Sequence, residues 1–228
     1  MITLQQKNKI MQIVNVFETG TPKGKYNSIS IYKDALINHQ KVEQITYGRS
    51  QTTEFGNLKK LIELYIFNKG IYANEFKSYL SKIGQLPSLK NDKNFIPLLQ
   101  KSAEEDSIMR QCQDDFFEQY YYLPAYNWFN KQQFQQALSL LVIYDSFIHS
   151  GSIPLFLRKR FPEKTPRYNG EEQQWITAYV KTRHQWLQHH RYKILQKTVY
   201  RTNCFLNQIK TNNWNLEQAV IANGITIR

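Results

Sequence analysis

Apolar residues recur at helical spacing near the start of the chain, where Ile10, Ile13, Val14 and Phe17 make one face of a helix predicted over residues 3–18. Thr19-Gly20-Thr21-Pro22-Lys23-Gly24 stops it. The period then falls to two. Ile29-Ser30-Ile31-Tyr32-Lys33-Asp34 alternates, and two short strands are predicted at about 27–33 and 44–48, joined by a polar loop around Asn38-His39-Gln40. Gln51-Thr52-Thr53-Glu54 reads as a Thr cap and acidic first turn of the next helix, which carries Leu58, Leu61, Ile62 and Tyr65 and ends at Gly70. A short helix follows at about 73–83, then a loop at Pro87 and Asn91-Asp92.

From Asn94 onward the pattern is helical almost throughout. Helices are predicted at about 105–122, interrupted by Pro124, and at 133–149, the most apolar. Pro154, Pro162 and Pro166 punctuate a crossing, and helices at about 171–189 and 191–210 precede a short C-terminal segment. No repeat, low-complexity tract or linker cuts the chain. The expected architecture is α+β, mostly α: a single domain over residues 1–228, two-lobed, with a minor lobe carrying a small N-terminal hairpin at about 19–50 and a helical major lobe.

Length and composition narrow the partners. A chain of 228 residues buries a real core. Its longest apolar run, Leu138–Ile148, is interrupted by Ser139, Tyr144, Asp145 and Ser146, so no membrane span is expected. Met1-Ile2-Thr3-Leu4-Gln5-Gln6-Lys7 leads straight into a helix without the apolar core of a secretory signal, which leaves the mature form or another export route to an extracellular or periplasmic target. Cys112 and Cys204 are too few for a disulfide framework; each reads as a buried thiol, and one bridge between them stays open.

The formal charge of +12, from 30 basic and 18 acidic side chains, suits a polyanion such as nucleic acid, cell-wall polymer or an anionic surface. Basic residues are spread along the chain except in Arg158-Lys159-Arg160 and the stretch from His189 to Lys197. With no zinc spacing, RNA-binding aromatic signature or glycine-rich phosphate loop, nucleic acid is not the expected partner. Five histidines offer no metal geometry, and no metal or organic cofactor is expected.

Candidate chemistry begins at Glu18, the last acidic residue of the first helix. A carboxyl at the C-terminal end of a buried helix meets apolar neighbours and the negative pole of the helix, and both favour its protonated form. Such an acid donates a proton to a leaving group, and a second carboxylate on the following hairpin completes the pair that glycoside hydrolysis needs. Asp145, inside an apolar helix, must be paired if buried. Tyr32, Tyr47 and Arg49 are candidates to line sugar subsites.

These segments, in order, resemble the chitosanases of glycoside hydrolase family 46, in the lysozyme superfamily. The resemblance rests on Ile13-Val14-Asn15-Val16-Phe17-Glu18, Ile45-Thr46-Tyr47-Gly48 and Gly56-Asn57-Leu58. It continues through Gln113-Asp114-Asp115-Phe116-Phe117 with Tyr121-Tyr122-Leu123-Pro124-Ala125, and Ile143-Tyr144-Asp145-Ser146-Phe147-Ile148-His149. Arg201-Thr202-Asn203-Cys204-Phe205-Leu206 and Asn213-Trp214-Asn215-Leu216 complete it.

The resemblance implies an endo-acting, inverting hydrolase of a β-1,4-linked amino-sugar polymer. Glu18 would be the general acid and Asp34 the general base, with Glu43 the alternative, and Thr46 would position the water. It also implies a charge network between Asp145 and arginines of later helices, for which Arg183 and Arg201 are the candidates. Asn57 stands where the family has an aspartate, which removes a charge. The expected partner is a polysaccharide, chitosan or peptidoglycan, and the expected state a monomer. A peptidoglycan muramidase and a non-catalytic cell-wall-binding protein are the competing readings, because chitosan is itself cationic.

Overall fold

Thr3 opens the first helix with a reciprocal cap. Its hydroxyl accepts from the Gln6 N–H at 3.2 Å, and the Gln6 side chain accepts from the Thr3 N–H at 2.9 Å. This helix, α1 (Leu4–Thr19), buries Ile10, Ile13, Val14 and Phe17 and ends at Gly20, whose φ of 74° turns its N–H onto the Val16 carbonyl. The structure is a computed structural model that describes residues 2–49 and 51–228. It falls into two compact units: residues up to Lys23 with Gln119–Arg228, and Gly24–Glu118.

The second of these carries the sheet. Strands β1 (Ile29–Ile37) and β2 (Gln40–Tyr47) pair antiparallel up to a two-residue turn, Asn38-His39, with φ of 49° and 63°. Both residues are left-handed, as a type I′ hairpin requires, so the strands run longer than the alternation suggests. β3 (Thr52–Thr53) adds to β2, and the Thr52 hydroxyl donates to the Tyr47 carbonyl at 3.1 Å. The threonine pair expected to cap a helix is therefore sheet, where β-branched residues pack well. Helix α2 (Leu58–Phe67) starts only at Leu58. Between them, buried Glu54 accepts from the Ser88 hydroxyl at 2.6 Å and the Leu89 N–H at 2.7 Å, tying a 3₁₀ turn, Leu89–Asn91, to the sheet.

Helix α3 (Ala73–Lys77) is shorter than predicted, and α4 (Phe95–Glu105) and α5 (Ser107–Phe117) meet at Asp106. Asp106 accepts from the Ile108 N–H at 2.8 Å as an N-cap, from the Ile71 N–H at 2.8 Å and from the Tyr65 hydroxyl at 2.5 Å. Burial alone would raise its pKa; these donors outweigh it and hold the carboxyl below its usual range. Rings of Tyr65, Phe76 and Phe95 meet edge to face in this core. After α5 the chain makes a π-helical turn, Glu118–Tyr122, into α6 (Leu123–Lys131). Pro124 stands in the first turn of α6, where a missing N–H costs nothing, so it starts a helix instead of interrupting one.

In the other unit α7 (Ala137–Ser150) is the hub. Every residue from Ala137 to Ser146 is buried, and Gly151, at φ 73°, ends the helix. Around it lie α1, α6, α9 (Glu172–Gln188) and α11 (Val199–Lys210), with the short α8 (Leu155–Arg158) and α10 (Lys193–Gln196) against α9. The predicted 191–210 helix is thus two, broken where the Thr198 hydroxyl donates back to the Leu195 carbonyl at 2.7 Å. The C-terminal segment is a second hairpin, β4 (Val220–Ala222) and β5 (Ile225–Ile227), on an Asn223-Gly224 turn with φ of 44° and 83°. Asn-Gly is a strong hairpin signal within the short C-terminal segment, for which no element is predicted from the sequence. Cys112 and Cys204 are both free and buried, and burial pushes the Cys204 thiol up to about 12. The mostly helical α+β class is as expected.

Gly48, between β2 and β3, has a φ of 77°, and a Cβ there would lie 2.3 Å from the Gln113 Oε1. That buried amide bonds the Arg49 N–H and the Tyr26 carbonyl, each at 2.9 Å. Gly48→Ala combines left-handed strain with displacement of Gln113. It is expected to destabilise the protein by about 2–3 kcal/mol. A urea midpoint lowered at unchanged slope checks it.

Candidate active site

Glu18 lies in the last turn of α1, its side chain only 13% exposed, and its Oε1 accepts from the Arg201 Nη2 at 2.6 Å. The Oε2 has no hydrogen bond among the described residues. Arg201, on α11, also donates from Nη1 to the Asp145 Oδ1 at 2.7 Å. Asp145, on α7, accepts on Oδ2 from the Arg183 Nη1 of α9, also at 2.7 Å. The pairing required of a buried Asp145 is thus made by both arginines, in one line running Arg183–Asp145–Arg201–Glu18. Four helices meet along it. The sequence points to apolar surroundings for the Glu18 carboxyl; the structure puts a guanidinium there.

Electrostatics along the line follow from its alternation. Desolvation would raise the Asp145 pKa, but Arg183 and Arg201 outweigh it and hold the carboxyl below its usual range. Burial would lower the Arg201 pKa; Glu18 and Asp145 outweigh it and push it up. Arg201 also lies over the Phe17 ring, 5.4 Å from its centroid. His149, at the end of α7, is pushed down to about 4 by burial first and by the two arginines next. It is neutral at pH 7.

Asp34 sits elsewhere in the chain, in the sheet unit. Tyr32 pairs with Gln44 and Ala35 with Val42, so Lys33 and Asp34 together oppose Glu43. This is a β-bulge, which kinks the strand and redirects a side chain. Asp34 is therefore mid-strand, where the alternation placed it at a strand end. Its side chain is exposed, and its Oδ1 accepts from the Gln44 Nε2 at 2.7 Å. The Gln44 Oε1 in turn accepts from the Phe55 N–H at 3.1 Å. Gln44, 6% exposed, fixes the orientation of Asp34 and was not singled out from the sequence. Its only sequence signal is a polar residue two positions before Thr46, on the same strand face.

Glu43, the alternative second carboxylate, is ion-paired with Lys90, whose hydrogen bond and charge hold it below the usual carboxylate range. Thr46 is buried, and its hydroxyl has no partner among the described residues. Tyr32 is 43% exposed and offers a ring face. Two of the expected sugar contacts need correction. Tyr47 is fully buried, and its hydroxyl donates to the Leu99 carbonyl at 2.7 Å, leaving no face for stacking. Arg49 is also buried, ion-paired with Asp114 and 4.8 Å from the Phe117 ring centroid; it braces β2 against α5. Among the described residues no group of three His, Cys, Asp or Glu side chains is placed to hold a metal.

Residues 12–220 match the profile of Glycosyl hydrolase family 46. No curated protein sequence matches the chain. Among solved structures, a mutant chitosanase from Bacillus subtilis MY002 complexed with 6 GlcN is similar over 100% of both chains, with a TM-score of 0.84 at 22% identity. The native enzyme of the same source gives 0.82 at 22% over the same coverage. A family 46 chitosanase from Gynuella sunshinyii in complex with chitotetraose gives 0.79 at 20%, covering 99% of this chain and 98% of that one.

The depressed His149 pKa has a consequence for acid stability. A histidine with a folded pKa of about 4 and an unfolded value near 6.5 takes up its proton first in the unfolded chain. Stability therefore falls as pH drops from about 6.5 to 4, by on the order of 3 kcal/mol from this group. His149→Gln is expected to flatten that part of the profile, read from denaturation midpoints at successive pH values. Asp145→Ala, which leaves two buried guanidinium groups facing each other, is expected to cost about 3–5 kcal/mol in the same assay.

Proposed function

The chain belongs to glycosyl hydrolase family 46, and from that premise we propose that it is an endo-acting chitosan hydrolase with an inverting acid/base mechanism. Glu18 is the general acid in this reading and Asp34 the general base. The observation that carries it is the Arg183–Asp145–Arg201–Glu18 line, which ends on one oxygen of a nearly buried carboxyl. Arg201 holds Oε1, so Oε2 is the oxygen left to pass a proton to the glycosidic oxygen. As that proton leaves, the carboxylate that forms already has its charge-assisted partner in place. Asp34, oriented by Gln44, takes a proton from the attacking water. The unpartnered Thr46 hydroxyl helps position that water, since it both donates and accepts. Tyr32 supplies a ring face for a sugar. Such an enzyme is a secreted bacterial monomer working on an extracellular or periplasmic polymer.

A second substrate has a specific observation in its favour: at +12 the protein repels cationic chitosan at long range and attracts anionic peptidoglycan. Reducing-end release on both polymers in parallel separates the two. Release from chitosan and not peptidoglycan is expected. Glu18→Gln and Asp34→Asn are each expected to lower kcat by about 10²–10⁴ with little change in KM. Unchanged hydrolysis by Glu18→Gln would sink the acid assignment. The first-formed product, followed by proton NMR, is expected as the α-anomer.

A further inference from the structure

The two basic tracts that stand out in the sequence are joined in space, though about thirty residues apart in the chain. Phe156 on α8 meets Trp186 on α9 with ring centroids 5.4 Å apart, Trp186 meets His190 at 5.0 Å, and His190 meets Tyr192 at 5.4 Å. A cation caps each end of this ladder: Arg160 lies 5.7 Å from the Phe156 centroid, and Arg191 lies 4.6 Å from that of Tyr192. Around it Lys159, Lys193 and Lys197 are exposed. No acidic residue lies between Gly151 and Pro162, and none between Glu172 and Glu217. These two stretches bring cations and no acidic side chain of their own to the face.

It is also apolar where a solvated face should not be. Leu155 is 66% exposed, Ile194 63%, Phe156 47% and Tyr192 44%. Phe156 and Tyr192 belong to the ladder, and Leu155 and Ile194 are their exposed neighbours on α8 and α10; exposed apolar side chains in the same segments as these cations mark an interaction surface. Of the polyanions that these five cations would attract, a nucleic acid or charged glycan engages rings chiefly by stacking and gains less from aliphatic side chains exposed beside its charges. An anionic lipid surface uses both kinds: cations meet the headgroups, aromatics sit at their level, and aliphatic tips reach the acyl boundary. None of the exposed residues belongs to the Glu18 line or to the sheet that carries Asp34.

We infer that the face formed by α8, α10 and the C-terminal end of α9 is a peripheral docking surface for an anionic phospholipid bilayer. In this reading the protein lies on the membrane surface; no helix among the described residues is long and apolar enough to span one. Docking requires both components of the face. Charge draws the protein in and is screened by salt, whereas the apolar tips hold it there.

Co-sedimentation with vesicles of phosphatidylcholine alone, and of phosphatidylcholine with phosphatidylglycerol, tests this at low and high salt. Binding is expected only to the anionic vesicles. Lys159→Gln with Arg160→Gln and Lys193→Gln is expected to weaken it by on the order of a hundredfold at low salt. Leu155→Ser with Ile194→Ser is expected to abolish the part that survives high salt. Both variants change exposed side chains only, so their melting temperatures and polymer hydrolysis are expected to match the parent. Soluble polyphosphate and duplex DNA serve as lipid-free polyanions. Failure to sediment with anionic vesicles would overturn the inference. So would vesicle binding unaffected by Leu155→Ser with Ile194→Ser and matched by either soluble polyanion, which would make the face a polyanion site.

Discussion

Asp145 is a fully buried carboxylate in the most apolar helix of the chain, and the first unit is arranged to satisfy it. An isolated charge there would be untenable, so each oxygen takes a guanidinium, one from α9 and one from α11. That demand sets the rotation of both helices against α7. It also determines where Arg201 directs its remaining nitrogen, which is at the last turn of α1. The position of Glu18 is thus a by-product of neutralising a charge in the core. In the proposed reading a structural ion pair and a catalytic support are the same atoms, and packing precision is passed on to the candidate site without a separate device.

The sheet unit solves a related problem with hydrogen bonds. Glu54 and Asp106 are buried acceptors that gather backbone N–H groups from distant loops, and Gln113 does the same between Tyr26 and Arg49. Irregular chain without a ladder of its own is thereby tied to strands and helices. The bulge at Lys33-Asp34 belongs to this economy: it breaks the alternation of β1, and Gln44 closes over the redirected aspartate. Both candidate carboxylates are therefore oriented by a neighbour's donor, Glu18 by a guanidinium and Asp34 by an amide.

Charge works on a longer scale. The excess of basic residues is not uniform, because a stretch of the C-terminal half contains no acid at all. That stretch folds beside the Arg158-Lys159-Arg160 tract, where Phe156 meets Trp186, so basic side chains from both gather in one region. The net charge of +12 is thereby compatible with a cationic substrate, since the field that decides each encounter is the local one.

Periodicity and residue type were sufficient for the fold class, the helical character of α1, α7 and α9, the two-residue neighbourhood of the hairpin turn, and the choice of Glu18 and Asp145 as residues needing an explanation. These are local properties: a 3.6-residue stripe, a helix stop, a charge in an apolar run. The structure alone decided that Thr52-Thr53 is a strand, since it pairs back onto Thr46-Tyr47, and that Tyr47 and Arg49 are interior, because their partners Leu99 and Asp114 lie tens of residues away. The same holds for the environment of Glu18, where helix-end reasoning saw only apolar neighbours and the dipole. Its carboxyl meets a side chain 183 positions further along the chain. No window of sequence contains that contact; only the burial of Asp145, felt by three helices at once, brings it about.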